Sequence, residues 1–243
     1  MRTRRLIAVL AATGIALATA SCGSAEDGDS APAGNDAANS SQGSAPQASS
    51  QQLLLTAQEF PSDGGFNTLP KSATDQALES MKLPEGATVT PAECADKATA
   101  FDKLTSGGEY AAIAGNSESG ALMVTDAVIK NGPSVAEARS ANEQCPRVEY
   151  KMGDTESKAT VKIGEDPRVA GASDALAYTM TSKGSAMDIE VSMAQYGIAA
   201  EVNGVVILVA VTSLKDSDEV SDEAKSQVLE IANVQAAKIT DAA

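Results

Sequence analysis

The chain has 243 residues, with 18 basic and 33 acidic side chains and a net charge of −15. Such an acidic chain repels phosphate backbones and anionic lipid surfaces, which excludes nucleic acid as a partner. Histidine and tryptophan are both absent. That removes Ser-His-Asp and Cys-His catalysis, the usual zinc hydrolase sites, and most of the aromatic platform a glycosidase needs.

The N-terminus is built for export. Arg2, Arg4 and Arg5 form a basic start, and Leu6 to Ala18 is a 13-residue apolar run. The short residues Thr19, Ala20 and Ser21 follow, and then Cys22. A basic start, a short apolar run and small residues before a cut make a secretory signal. As a helix the run spans about 20 Å, too short for a hydrocarbon core of about 30 Å. The segment Thr19-Ala20-Ser21-Cys22 resembles the lipobox of bacterial lipoproteins, although Thr19 stands where that family usually carries Leu. The resemblance implies cleavage before Cys22 and acylation of Cys22 by diacylglyceryl and fatty acyl groups such as palmitate. Two or more chains anchor stably, whereas one chain binds only marginally. An ordinary cleaved signal ending near a cysteine is the alternative.

Residues 1–21 are thus expected to be a lipoprotein signal peptide, and 22–50 the lipidated cysteine with a disordered linker. Residues 23–50 hold no aromatic, Val, Ile or Leu, so they cannot bury enough apolar surface to offset their ordering entropy. As a flexible coil they span about 30 Å on average. Glu26, Asp27 and Asp29 read as a solvated acidic spacer rather than a calcium loop. Residues 51–243 are long enough for one domain with a real core. Loss of the signal leaves 15 basic residues against 33 acidic ones, a net −18, which also keeps an exported domain soluble. With Cys22 acylated, Cys94 and Cys145 remain as a pair in an oxidising compartment and are expected to form a disulfide. Two buried free thiols are the alternative.

The elements follow in chain order. A short helix is expected from about Thr74 to Met81. Thr90-Pro91-Ala92-Glu93 reads as a capping box with Pro at the first helical position. Cys94, Ala98 and Phe101 recur behind it on the inward face. Leu122 to Ile129 reads as a strand. After the turn Asn131-Gly132-Pro133, Ser134-Val135-Ala136-Glu137 is a second capping box. Val135, Ala138, Ala141 and Cys145 fall on one face of the helix it opens. Val148, Tyr150 and Met152 alternate with charged residues, as do Ala159, Val161 and Ile163 with Lys158, Thr160 and Lys162, and Met187 to Met193 with polar partners. Period two with one polar face means antiparallel sheet open to water on one side. Asn203-Gly204 between two apolar runs is a hairpin signal, and Val205 to Val209, apolar on both faces, reads as a central strand. A closing helix is expected from Asp222 to Ile239, with Asp218, Glu219, Asp222 and Glu223 near its positive end. The fold class is α+β: a single domain, mainly antiparallel sheet, with three to four helices packed on it.

No catalytic constellation stands out. No Ser lies three residues before a Lys, and Gly115 to Gly120 has neither the spacing nor the lysine of a phosphate loop. The two domain cysteines cannot close a four-ligand zinc site. No catalytic residue, metal ligand or cofactor is assigned, and the protein is expected not to be an enzyme. Met123, Met152, Met180, Met187 and Met193 all fall on expected strands, where they fill a core or line an adaptable pocket. Tyr150, Tyr178 and Tyr196 rim such a pocket or sit at the core edge.

Leu53-Leu54-Leu55-Thr56 opens the domain, and Pro91 to Asp96 places a cysteine at a helix start. A helix ends at Cys145, and Glu201 to Val209 forms a hairpin before the closing helix. This order, over about Leu53 to Ile239, resembles the extracellular sensor domain of PknH-type bacterial serine/threonine kinases, also found in lipid-anchored actinobacterial proteins. The resemblance implies an antiparallel sheet with helices on one side and a cleft for a ligand. A second disulfide usual in that family has no counterpart here, because the region around Met193 and Thr212 lacks cysteine. The expectation is a lipid-anchored, extracytoplasmic ligand-binding or sensor-like module on the outer face of the cell membrane. Its ligand-binding residues are unassigned, and its partners are the membrane and an unknown envelope or small-molecule ligand. A carrier of lipid or lipoglycan is the alternative.

Overall fold

The computed structural model describes residues 45–61, 66–80, 86–95, 109–153, 155–186, 189–214 and 217–243. Cys22, the signal segment, Met81, Ala98, Phe101 and Met187 lie outside the described residues. The first element, α1 (Ser50–Leu53), is opened by a capping box in which the Ser49 hydroxyl accepts from the Gln52 amide. Strand β1 (Phe66–Thr68), helix α2 (Lys71–Ser80) and strand β2 (Thr88–Thr90) follow. A single 3₁₀ turn over Ala92–Cys94 comes next. Then come β3 (Glu109–Ser117), β4 (Leu122–Lys130), α3 (Val135–Gln144), β5 (Arg147–Met152) and β6 (Thr155–Ile163). The chain closes with β7 (Asp174–Ala186), β8 (Ile189–Val202), β9 (Val205–Ser213) and α4 (Asp222–Asp241).

Among the described residues, the nine strands form one antiparallel sheet in the order β1-β3-β4-β9-β8-β7-β6-β5-β2. The fold is the expected α+β domain. Strand β9 sits inside the sheet between β4 and β8, as its unbroken apolar run requires. Asn203 and Gly204 both have positive φ, 49° and 72°, as a type I′ turn demands. This turn sets the register Val202 to Val205 and every pairing along β8 and β9.

Both faces of the central strands are covered by helices, while one face of β6, β7 and β8 stays open beside them, as period two leads one to expect. On one face Val124, Val128, Ile198, Ala200, Ile207 and Val209 pack under Val228, Ile231, Ala232, Ala236 and Ile239 of α4. On the other, Ala127, Ile129, Leu176, Tyr178, Ala199 and Leu208 pack under Val135 and Ala138 of α3. Adjacent strand residues serve opposite faces, so central strands must be apolar at every position. The alternation in β6 has the meaning expected, one face packed and one face open. Val161 and Ile163 join the α3 side, while Lys158, Thr160 and Lys162 line a groove on the α4 side.

Other local readings shift for identifiable reasons. The Thr90 capping box does not form: Thr90 ends β2, paired with Glu149, and the turn after it has no side-chain cap. The helix expected from Thr74 starts earlier, at Lys71. The two strands expected over 187–193 and 198–202 are one 14-residue strand, β8. Strand β7 carries Met180, which is expected on a strand, although the sequence draws no bounds for it. Helix α3 carries the expected capping box of Ser134 and Glu137. Cys94 and Cys145, 1% and 3% exposed, are joined by a disulfide with their Cα atoms 5.9 Å apart. With Val89 and Val148 they form a small satellite core that ties β2 to the end of α3.

Candidate functional site

The groove lies where α4 stops short of covering the sheet. Strands β6, β7 and β8 run past the N-terminus of that helix, so the side chains of one face stand uncovered. Lys158, Lys183 and Ser192 form one cross-strand row, and Thr160, Thr181 and Ala194 the next. Lys162, Thr179 and Tyr196 form the third. The segment before α4, carrying Ser217 to Val220, supplies one wall. Two cavities of about 540 and 350 Å³ adjoin at Asp218. Lys158, Lys183, Ser185 and Ser192 line the larger, and Thr160, Lys162, Thr181 and Lys225 the smaller.

Two lysines in register on neighbouring strands repel each other. Here each is met by carboxylates. Lys183 Nζ lies 2.7 Å from Asp218 Oδ2, and the Ser192 hydroxyl donates to the other oxygen of Asp218. The Lys183 and Ser192 hydrogen bonds hold the Asp218 carboxyl below its usual range. Lys158 lies 3.1 Å from Glu149 and 3.3 Å from Glu156, and these bonds raise its pKa. Lys225 bonds Asp222 at 2.8 Å, which raises it likewise. These groups are largely exposed, so each pair stabilises the fold little. What they provide is a charge-balanced floor of ammonium, hydroxyl and carboxylate groups, suited to hydrogen-bonding a polar ligand.

The groove and the chain's entry point lie at opposite ends of β8. Ser192 lines the groove, and Asn203-Gly204 ends the strand eleven residues later, roughly 35 Å away. Ala45 sits against Gly204. Lys130, at the end of β4, donates to the carbonyls of Pro46 and Ala48 at 3.2 and 2.7 Å.

The residues singled out in the sequence are dispersed. The disulfide Cys94–Cys145 sits in its own satellite core and lines neither cavity. Tyr178 is 3% exposed and lies flat over Gly197, where burial raises its pKa. Tyr150 packs at the disulfide cluster, and only Tyr196 stands beside the groove, against the main core. Methionine is absent from the lining of both cavities. Met180 is buried in the α3-side core, and Met152 is exposed. Sequence reasoning assigned no ligand residue, and the groove lysines and threonines were read only as a solvated strand face. A cross-strand row is invisible until register is known. No described helix is long and apolar enough to cross a membrane.

The chain is similar to the crystal structure of the extracellular domain of PknH from Mycobacterium tuberculosis, with 14% identity and a TM-score of 0.46, over 82% of this chain and 100% of that one. It is also similar to the X-ray structure of an uncharacterized protein, the Rv0999 ortholog, of Mycobacterium smegmatis. That match has 16% identity and a TM-score of 0.39, over 72% of this chain and 85% of that one. No curated protein matches. A family model matches residues 51–238, so the chain belongs to the family described as a domain of unknown function, DUF5642.

Proposed function

We propose that this protein is a lipid-anchored, extracytoplasmic sensor-like module that binds a polar ligand in the groove between β6, β7, β8 and the segment before α4. Acylated Cys22 holds it at the outer face of the membrane, and the residues up to about 45 serve as the tether. The observation that carries the reading is the position and chemistry of the groove. It is lined by paired lysines, threonines and carboxylates, at the pole opposite the point where the tether enters. A polar groove facing away from the anchor suits a ligand arriving from the cell exterior. The role is recognition, and any signal passes to another protein.

The test is a native mass spectrum of the protein recovered from its own cell envelope, beside a variant with the groove floor filled, Thr181→Trp. The expected result is a polar adduct on the wild type that the variant lacks. An adduct of lipid mass, retained by the variant, would instead support a carrier of lipid or lipoglycan and overturn the groove reading.

A further inference from the structure

Among the described residues, Asp126 is a buried carboxyl out of place in its surroundings. It lies in the middle of β4 between Val124 and Val128 and shares their face. It is 0% exposed, and neither carboxyl oxygen has a hydrogen-bond partner. Its register neighbours are Ile113 on β3 and Val209 on β9. A buried carboxyl without partners rarely persists without a role, because leaving it unpaired costs free energy that a Val or Leu at the site would not.

Above this part of the sheet lie α4 and the segment that leads from the tether, with α1 packed on β3 and β4. Leu53, Leu54, Leu55 and Phe60 of that segment are buried. Its backbone-to-backbone hydrogen bonds are local turns, and side chains tie it to the rest of the fold. Gln235, itself fully buried, accepts from the Leu55 amide at 2.9 Å and donates to the Leu53 carbonyl at 2.8 Å. One helical turn on, Lys238 donates to the Leu54 carbonyl at 2.8 Å and to Glu59 at 2.7 Å. At its start, Ser50 donates to the Glu109 carboxylate and carbonyl at 2.7 and 2.9 Å.

We propose that residues 49–60 form a latch over the sheet whose release is coupled to the loss of one proton from Asp126. In the closed state the cation acting on Asp126 is Lys238, and Lys238 is engaged by the latch. Burial pushes the Asp126 carboxyl up to about 8, so it stays protonated at neutral pH. The titratable groups facing it are Lys238 from α4 and, through Lys238, Glu59 from the latch. Hydrogen bonds from Lys238 and Thr56 hold Glu59 near 2, so Glu59 remains ionised across the working range. The β3 and β9 neighbours do not titrate. When the latch lifts, water reaches Asp126, its pKa falls toward the ordinary 3.8, and Lys238 is free to pair with it. The closed state therefore holds one more proton than the open state between these two values. Opening is favoured about tenfold for each pH unit gained in that window. The device sits in series with the tether, so a pull on the anchor and a rise in pH act on the same element.

The test is hydrogen exchange on the full chain in detergent micelles from pH 5 to 8, corrected for intrinsic exchange. The Leu55 amide is expected to exchange faster than the amides of β9 at every pH, with protection falling about tenfold per unit. Asp126→Asn is expected to flatten that slope. Gln235→Leu, which removes the clamp and keeps Asp126, is expected to speed opening at least tenfold and keep the slope. The proposal is overturned if Leu55 and β9 exchange together, if Gln235→Leu leaves Leu55 protected, or if the slope persists in Asp126→Asn. None of these readouts involves the groove, so the latch and the ligand site stand or fall separately.

Discussion

Gly197→Ala inverts the usual effect of adding a methyl group to a strand. Inside a strand, Ala is ordinarily better than Gly by about 0.5–1 kcal/mol. At this position the new Cβ would meet carbon and oxygen atoms of the Tyr178 ring, which lies across Gly197 from its register partner on β7. The shortfall is most of a van der Waals radius, and the obstacle is a buried ring in a packed core, so the ring must leave its position. Overpacking costs about 1–3 kcal/mol, and losing a buried aromatic about 3–5 kcal/mol. A net destabilisation of roughly 2–4 kcal/mol is expected. The assay is urea unfolding in a double-mutant cycle with Tyr178→Ala. In that background the obstacle is gone, and Gly197→Ala should become stabilising by about 0.5–1 kcal/mol. An unchanged or higher urea midpoint for the single Gly197→Ala variant would refute the reasoning. So would a penalty that survives in the Tyr178→Ala background.

Tyr178→Phe should leave stability unchanged or raise it by up to about 1 kcal/mol, because the buried hydroxyl has no hydrogen-bond partner to lose; urea midpoints decide this. Replacing Cys94 and Cys145 together by Ala should cost about 4 kcal/mol, since the bridge closes a loop with a sequence separation of 51. Reduction of the wild-type disulfide should reproduce that loss. Asp126 reverses the usual sign for a carboxylate. Its folded pKa lies above its ordinary one, so its contribution is fully present at low pH and is lost as pH rises toward about 8. Measured as the difference between wild type and Asp126→Asn, stability should fall by about 1.4 kcal/mol per pH unit between pH 5 and 8. A rising difference would contradict the assignment.

Much of the frame was legible in the sequence because local signals and tertiary demands agree there. Asn203-Gly204 supplies the two positive-φ residues a tight hairpin needs, and Ser134 with Glu137 writes a capping box that the chain forms. The stripe of α4 read from the sequence as Leu229, Ala232, Ala236 and Ile239, with Val228 and Ile231 beside it, finds the buried face, which in the structure centres on Val228 and Ile231 and leaves Leu229 partly buried. Signals failed where the deciding partner is distant in the chain. Gly197 and Gln195 interrupt the apolar pattern of β8, and the Tyr178 ring that fills the space over Gly197 comes from a neighbouring strand. Thr90 looked like a cap because its pairing with Glu149 could not be seen. The groove is assembled from single residues on three strands and the segment before α4, in rows that exist only once register is set. Asp126 was not singled out, although a carboxylate inside the strand Leu122 to Ile129 is a local contradiction in the sequence. Its meaning lies in Gln235 and Lys238, more than a hundred residues away.

The anchor is the step on which the placement of everything else depends. Membrane fractionation of cells expressing the wild-type chain or Cys22→Ala tests it most directly. The account predicts wild-type protein in the membrane pellet, released by detergent, and the variant in the soluble extracytoplasmic fraction. A Cys22→Ala product that still sediments with membranes would contradict it.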